Sequence, residues 1–159
     1  MRRRAYDLAT VWHLAAAPER CWAVLADPRM SWPAWWPGVE SLGVRTAEGT
    51  GPVGSRARLR FRAPLGYALV LDLRVVDAHE PTRVRVAVTG DLHGTGDVRL
   101  SSPAPGSTRV DVAWRVRTTR RWMTLLAPVL APVFVASHAA TMRTGERGLR
   151  AHLARAATA

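Results

Sequence analysis

Apolar and polar side chains alternate through the middle of the chain, and this period of two constrains the fold more than any other feature. In SRARLRFRA the arginines Arg56, Arg58, Arg60 and Arg62 take every second position, with Ala57, Leu59 and Phe61 between them. GYALVLDLRVV puts Tyr67, Leu69, Leu71, Leu73 and Val75 on one face. TRVRVAV does the same with Val84, Val86 and Val88, and TRVDVAWRVRT with Val110, Val112, Trp114 and Val116. Successive strand residues point to opposite faces, so the pattern predicts antiparallel strands with one face in a core and the other in water. GDLHGTGDVRL reads as a further, glycine-punctuated strand. The connections are short and hold Gly, Pro, Asp and Thr, as in a meander.

The period is different at the two ends. Residues 6–15 (YDLATVWHLA) read as a first strand with Leu8, Trp12 and Leu14 on one face. Pro18 and Glu19 then suit the first turn of a short helix, PERCWAVLAD, because Pro fits that turn and an acid complements its dipole. Asp27-Pro28 is a second start signal, predicting another short helix over 28–36 that Pro33 interrupts, and Pro37-Gly38 is a turn. From about Arg121 to Ala154 the period is helical, with Phe134, His138, Met142, Gly145, Leu149 and Leu153 on one stripe and Arg143, Arg147 and Arg150 opposite. Pro128 and Pro132 make the first turns of this helix irregular or kinked. The order is strand, two short helices, six strands, long helix. The long helix is the one element large enough to cover the inner face of the sheet.

A length of 159 residues, 48% apolar and 22% charged, with no repeat and no linker, fits one globular domain over residues 1–159. Cys21 is the single cysteine, so no internal disulfide forms. The basic opening MRRR has no apolar run behind it as a signal peptide would. Both features point to a cytoplasmic protein. The most apolar stretch, Leu125 to Ala136, is too short to span a bilayer. All 23 basic side chains are Arg and the net charge is +11, which attracts anions without specificity.

The element order and the run VWHLAAAPERCWAVLADPRMSWPAWWPGVESL resemble the START-like (SRPBCC) superfamily, in particular its polyketide cyclase/dehydrase-like branch. The pieces that carry the resemblance are APERCWAVLADP, WPAWWPGV, GDLHGTGDVRL and HAATMRTGERGL. The resemblance implies an α+β helix-grip fold: a seven-stranded curved antiparallel sheet wrapped around a long C-terminal helix, with two short helices after the first strand. It also implies a cavity between sheet and helix for a hydrophobic small molecule, or aldol cyclisation with dehydration of a poly-β-keto chain. A cavity of that use spans several hundred Å3.

Other motifs weigh less. GTGPVG (Gly49 to Gly54) matches a dinucleotide fingerprint in letters, yet a strand and not a helix follows it, so it reads as a connecting loop. Gly90, Gly94 and Gly96 read as a bend in a strand. His13, His79, His93, His138 and His152 lack metal-site spacing, no CxxC occurs, and no metal or cofactor is implied. Cys21 has no base nearby in the sequence and reads as a packing residue. No Gly-x-Ser-x-Gly elbow and no paired carboxylates occur. The stripe Arg56, Arg58, Arg60 and Arg62, with Arg2, Arg3 and Arg4, reads as a solvated outer face. Alternation sends the arginines and the aromatic rings to opposite faces, which argues against a stacking platform for nucleic acid and equally against membrane binding by this stripe.

The candidate cavity residues are Trp12, Trp35, Trp36, Phe61, Tyr67, Leu71, Trp114, Phe134, His138 and Met142. His138 and Tyr67 are also the two candidates for acid–base work. His138, between Phe134 and Met142 on the apolar stripe, fits an acid–base group, a polar handle for a ligand, or a core histidine bonded to the backbone. The cluster Trp32, Trp35 and Trp36 fits three roles: core anchor, ligand wall, or foot in a membrane interface.

Overall fold

The computed structural model describes residues 5–159, so Arg2, Arg3 and Arg4 lie outside the described residues. The chain forms β1 (Ala5–Leu14), α1 (Pro18–Leu25), a single 3-10 turn (Trp32–Ala34), β2 (Val39–Arg45), β3 (Arg56–Arg62), β4 (Ala68–His79), β5 (Arg83–Gly90), β6 (Leu92–Ser101), β7 (Thr108–Thr118), α2 (Arg121–Leu125) and α3 (Ala127–Thr158). The strands make one antiparallel sheet in the order β1-β7-β6-β5-β4-β3-β2. Strands β2 to β7 are therefore a meander, and β1 closes onto the last of them, with Ala5 opposite Arg117 and Leu14 opposite Thr108. This is the helix-grip arrangement.

The alternation translates directly into burial. Leu69, Leu71, Leu73 and Val75 of β4, Val84, Val86 and Val88 of β5, and Val110, Val112 and Val116 of β7 are all buried. The intervening arginines stay outside and share the carboxylates there: Arg83, Arg85 and Arg99 all meet Asp97, and Arg60 and Arg62 meet Glu40. β2 is the exception to alternation, since it is an edge strand with a bulge between Ser41 and Gly43 and leaves Leu42 and Val44 exposed.

Two local outcomes differ from the sequence expectation. The second short helix shrinks to one 3-10 turn, because Pro33 and Pro37 leave no room for a continuous ladder. The final helix is two helices: α2 ends at Leu126, and Pro128 opens α3 at the position where its missing N–H costs nothing. Pro132 alone sits inside α3. GTGPVG, as its sequence context indicates, is the irregular loop between β2 and β3.

Helix α3 lies on the inner face of the sheet and buries Ala131, Phe134, Ser137, Met142, Gly145, Leu149 and Leu153. It also lies close against the tryptophan segment. A Cβ at Gly148 would overlap the Trp35 carbonyl oxygen, and one at Gly145 would press into the Trp36 ring. These two glycines let the helix backbone rest directly on Trp35-Trp36. The opposite end of the helix stack is fixed by Asp91, in the turn between β5 and β6. Both carboxylate oxygens of Asp91 accept from Arg120, at 2.7 and 2.6 Å, and one also accepts the Val70 amide at 2.8 Å. Thr119 adds a hydroxyl bond to the Gly90 carbonyl at 2.7 Å, so the entry to α2 is tied to two strand ends.

Candidate functional site

Between the sheet and α3 lies a cavity of about 70 Å3 whose wall includes Trp36, Phe61, Tyr67, Leu71, Trp114, Phe134, Ser137, His138, Thr141 and Met142. Alternation on β3, β4 and β7 supplies the sheet side. The helix supplies the rest through the 134, 137, 138, 141, 142 spacing, which repeats every three or four residues and so falls on one face. On the sheet side, Gly94 at φ +155° leaves room for the Arg115 carbonyl oxygen, which a Cβ there would overlap.

The tryptophan cluster is a packed block with one ring turned to the cavity. Trp36 stacks on Trp35 at 5.5 Å, meets Trp12 edge-on at 5.6 Å and Phe61 edge-on at 5.9 Å, and tilts against Trp32 at 6.0 Å. Its indole N–H donates to the Thr141 carbonyl, and that of Trp32 donates to the Leu25 carbonyl, each at 3.1 Å. Trp12 and Trp35, expected on the cavity wall, are not among its lining residues and pack instead against Trp36, which is. Trp32, Trp35 and Trp36 are all buried, so none of them projects as a foot; the exposed tryptophan is Trp122.

The cavity is smaller than the several hundred Å3 expected, because large rings fill the grip. About 70 Å3 is less than the ~150 Å3 that accepts benzene. A second recess of about 220 Å3 lies on the far side of Tyr67 and Phe134, between Tyr6, Leu65, Trp122, Met123, Leu130 and Val133. Tyr67 and Phe134 line both spaces and form the partition between them. Phe134 is steadied by Tyr6, with ring centres 4.6 Å apart.

The chemistry of the wall is sparse. No Asp, Glu or Arg lines the cavity. Three buried polar atoms on its lining residues have no hydrogen-bond partner among the described residues: Trp114 Nε1, Ser137 Oγ and His138 Nε2. The N–H groups of Trp12 and Trp35 are also unpartnered, but they lie within the ring block. Burial pushes the His138 pKa down from 6.5 to about 4, so its imidazole is neutral at pH 7. A group so weakly basic accepts or donates a hydrogen bond readily but is a poor base for removing a carbon-bound proton. Cys21 is buried away from this site and burial pushes its thiol up, which keeps it unreactive. No cluster of potential metal ligands occurs among the described residues. Ser137 and Thr141 were not singled out from sequence, although both sit at helical spacing from Phe134 and His138, and that spacing is the signal that finds them.

A family profile described as polyketide cyclase / dehydrase and lipid transport matches residues 7–157. The chain belongs to this family. No curated protein matches it. Among solved structures, a START superfamily protein from Mycobacterium smegmatis superposes with a TM-score of 0.70 at 19% identity, covering 94% of this chain and 97% of the other. A Rhodobacter sphaeroides protein gives 0.64 at 24% identity, covering 94% and 92%. The ginseng major latex-like protein 151 from Panax ginseng gives 0.67 at 15% identity, covering 93% and 97%. At such identities these members of the START-like fold establish the architecture. The family as a whole is consistent with binding of hydrophobic ligands.

Proposed function

We propose that the cavity binds an uncharged, ring-bearing hydrophobic molecule that carries one hydroxyl or carbonyl group. The observation that carries this reading is that three residues of a mostly apolar cavity wall, Trp114, Ser137 and His138, each hold a buried polar atom with no hydrogen-bond partner among the described residues. Buried polar atoms are almost always paired, and leaving one unmet costs about 1–3 kcal/mol. A ligand with a single polar group answers these three atoms, while its ring replaces water against Trp36, Phe61, Leu71 and Met142. The absence of any charged side chain from the wall argues for a neutral ligand, since a buried carboxylate or ammonium would find no counter-charge there.

The ligand gains room when Tyr67 and Phe134 turn aside. The two spaces they separate, about 70 and 220 Å3, then approach the ~300 Å3 at which small-molecule sites begin. Native mass spectrometry of protein purified from its own host, followed by extraction, identifies a co-purifying compound. Calorimetry with 2-naphthol, naphthalene and 2-naphthoate then tests the chemistry. The expected order is 2-naphthol about tenfold tighter than naphthalene, with that advantage lost in Ser137→Ala and His138→Leu, and naphthoate weakest. Equal affinity for all three would remove the polar handle from the proposal, and no binding of any would remove the cavity itself.

A further inference from the structure

The structure has an exposed apolar corner at the outer rim of the 220 Å3 recess. Leu65, at the tip of the β3–β4 hairpin, is 62% exposed; Leu125 and Val129, at the α2–α3 junction, are 61% and 74% exposed. Trp122, Leu126 and Val133 are exposed beside them. The residues are contiguous: Leu65, Trp122 and Val133 border one recess, and the Leu126 amide bonds to Trp122 and the Leu130 amide to Leu126, which places 122, 126 and 130 on one line. Val133 follows Val129 by one turn. Scattered exposed aliphatics are ordinary, whereas a contiguous group with a Trp at its edge marks a contact surface.

The charge around the corner says what it contacts. Residues 49–71 and 112–145, which include the hairpin, α2 and the first turns of α3, hold no Asp or Glu. Arg121, the first residue of α2 and next to Trp122, is exposed and has no carboxylate partner among the described residues. The acids that come near are each matched by an arginine: Asp91 by Arg120, and Asp7, at the start of β1, by Arg115. We propose that this corner docks on an anionic lipid surface, with the aliphatic side chains entering the interface, Trp122 at headgroup level and the arginines on the phosphates. A second copy of the chain fits worse, because a two-fold contact through this patch would set arginines against arginines. The surface is separate from the strand arginines Arg56, Arg58 and Arg60, and its most exposed members, Leu125 and Val129, line neither the cavity nor the recess.

Co-sedimentation with vesicles of phosphatidylcholine alone, and of phosphatidylcholine with phosphatidylglycerol, tests the proposal. The expected result is binding to the anionic vesicles only. The pair Leu125→Asp with Val129→Asp lowers it at least ~tenfold with an unchanged melting curve, since both side chains are already outside the core. Leu65→Ser, on a different element, lowers it in the same direction. Arg121→Ala weakens it about fivefold, and Arg56→Ala, at the far end of β3, leaves it unchanged. Undiminished binding of the aspartate pair would overturn the proposal in favour of adsorption by net charge alone. Failure to bind anionic vesicles would overturn it outright. A concentration-dependent dimer that the aspartate pair abolishes would also overturn it, making a second copy the occupant.

Discussion

In the unfolded chain His138 takes up a proton near pH 6.5; in the fold, burial delays this to about 4. Between those values the unfolded chain binds more protons than the native one, so acidification favours unfolding. Full stability is present above pH 6.5, and about 3 kcal/mol is lost as pH falls to 4. Urea unfolding across this range should show the slope, and His138→Leu should flatten it. The aspartates act in a lower window. Partial burial raises Asp97, but hydrogen bonds from Arg83, Arg85 and Arg99 outweigh it and hold the carboxyl below its ordinary 3.8, so its contribution is lost only under more acid conditions. Gly148 gives a second test at this scale. Helix propensity alone would make Gly148→Ala stabilising by ~1 kcal/mol. The added Cβ overlaps the Trp35 carbonyl oxygen, a backbone atom that cannot rotate away, so a loss of about 2–4 kcal/mol is expected in the same denaturation assay.

At the scale of elements, the sequence exposed most of the sheet and little of what aims it. Alternation in β3, β4, β5 and β7 identifies the inward residues because each strand has one wet face and one buried face. β2 carries no such pattern, being an edge strand with a bulge, and its exact span becomes visible only when Val39 pairs with Phe61. The division of the final helix at Leu126 is likewise written in Pro128, but a proline marks both a kink and a start, and only packing decides which. The Asp91–Arg120 pair is invisible from sequence because its partners are 29 residues apart and neither is unusual in a basic chain. It nonetheless holds α2, and with it Trp122 and Met123, against the strand ends. Asp91→Asn keeps the shape and removes the charge from two bonds to Arg120. A loss of about 2 kcal/mol is expected, together with faster amide hydrogen exchange in residues 119–126 than in the centre of α3.

For the molecule as a whole, the ring positions Phe61, Tyr67, Trp114 and Phe134 were legible as inward-facing; which of Trp32, Trp35 and Trp36 joins them was not, because Pro33 spoils the helical register, and the structure brings Trp36 to the same space. The size of that space was not legible, because volume depends on rotamers and on how closely α3 sits, which Gly145 and Gly148 decide through contacts more than 100 residues apart. A cavity of about 70 Å3 next to a recess of about 220 Å3, both lined by Tyr67 and Phe134, means that these two side chains decide whether the spaces stay apart or join. Phe134 is the more decisive half of that partition, since it is buried, lies on the rigid helix and touches Tyr6. Phe134→Ala removes its contacts and opens the two spaces into one, at an expected cost of about 3–5 kcal/mol in stability. If the two spaces are halves of one site, the same variant binds a naphthalene-type fluorescent probe at least ~tenfold tighter than the wild type, because the work of displacing the ring has already been done by the mutation. Both quantities can be read from one preparation by thermal unfolding and probe titration. Lost stability without a gain in affinity would show that Phe134 is core alone, and that ligands enter the grip by another route.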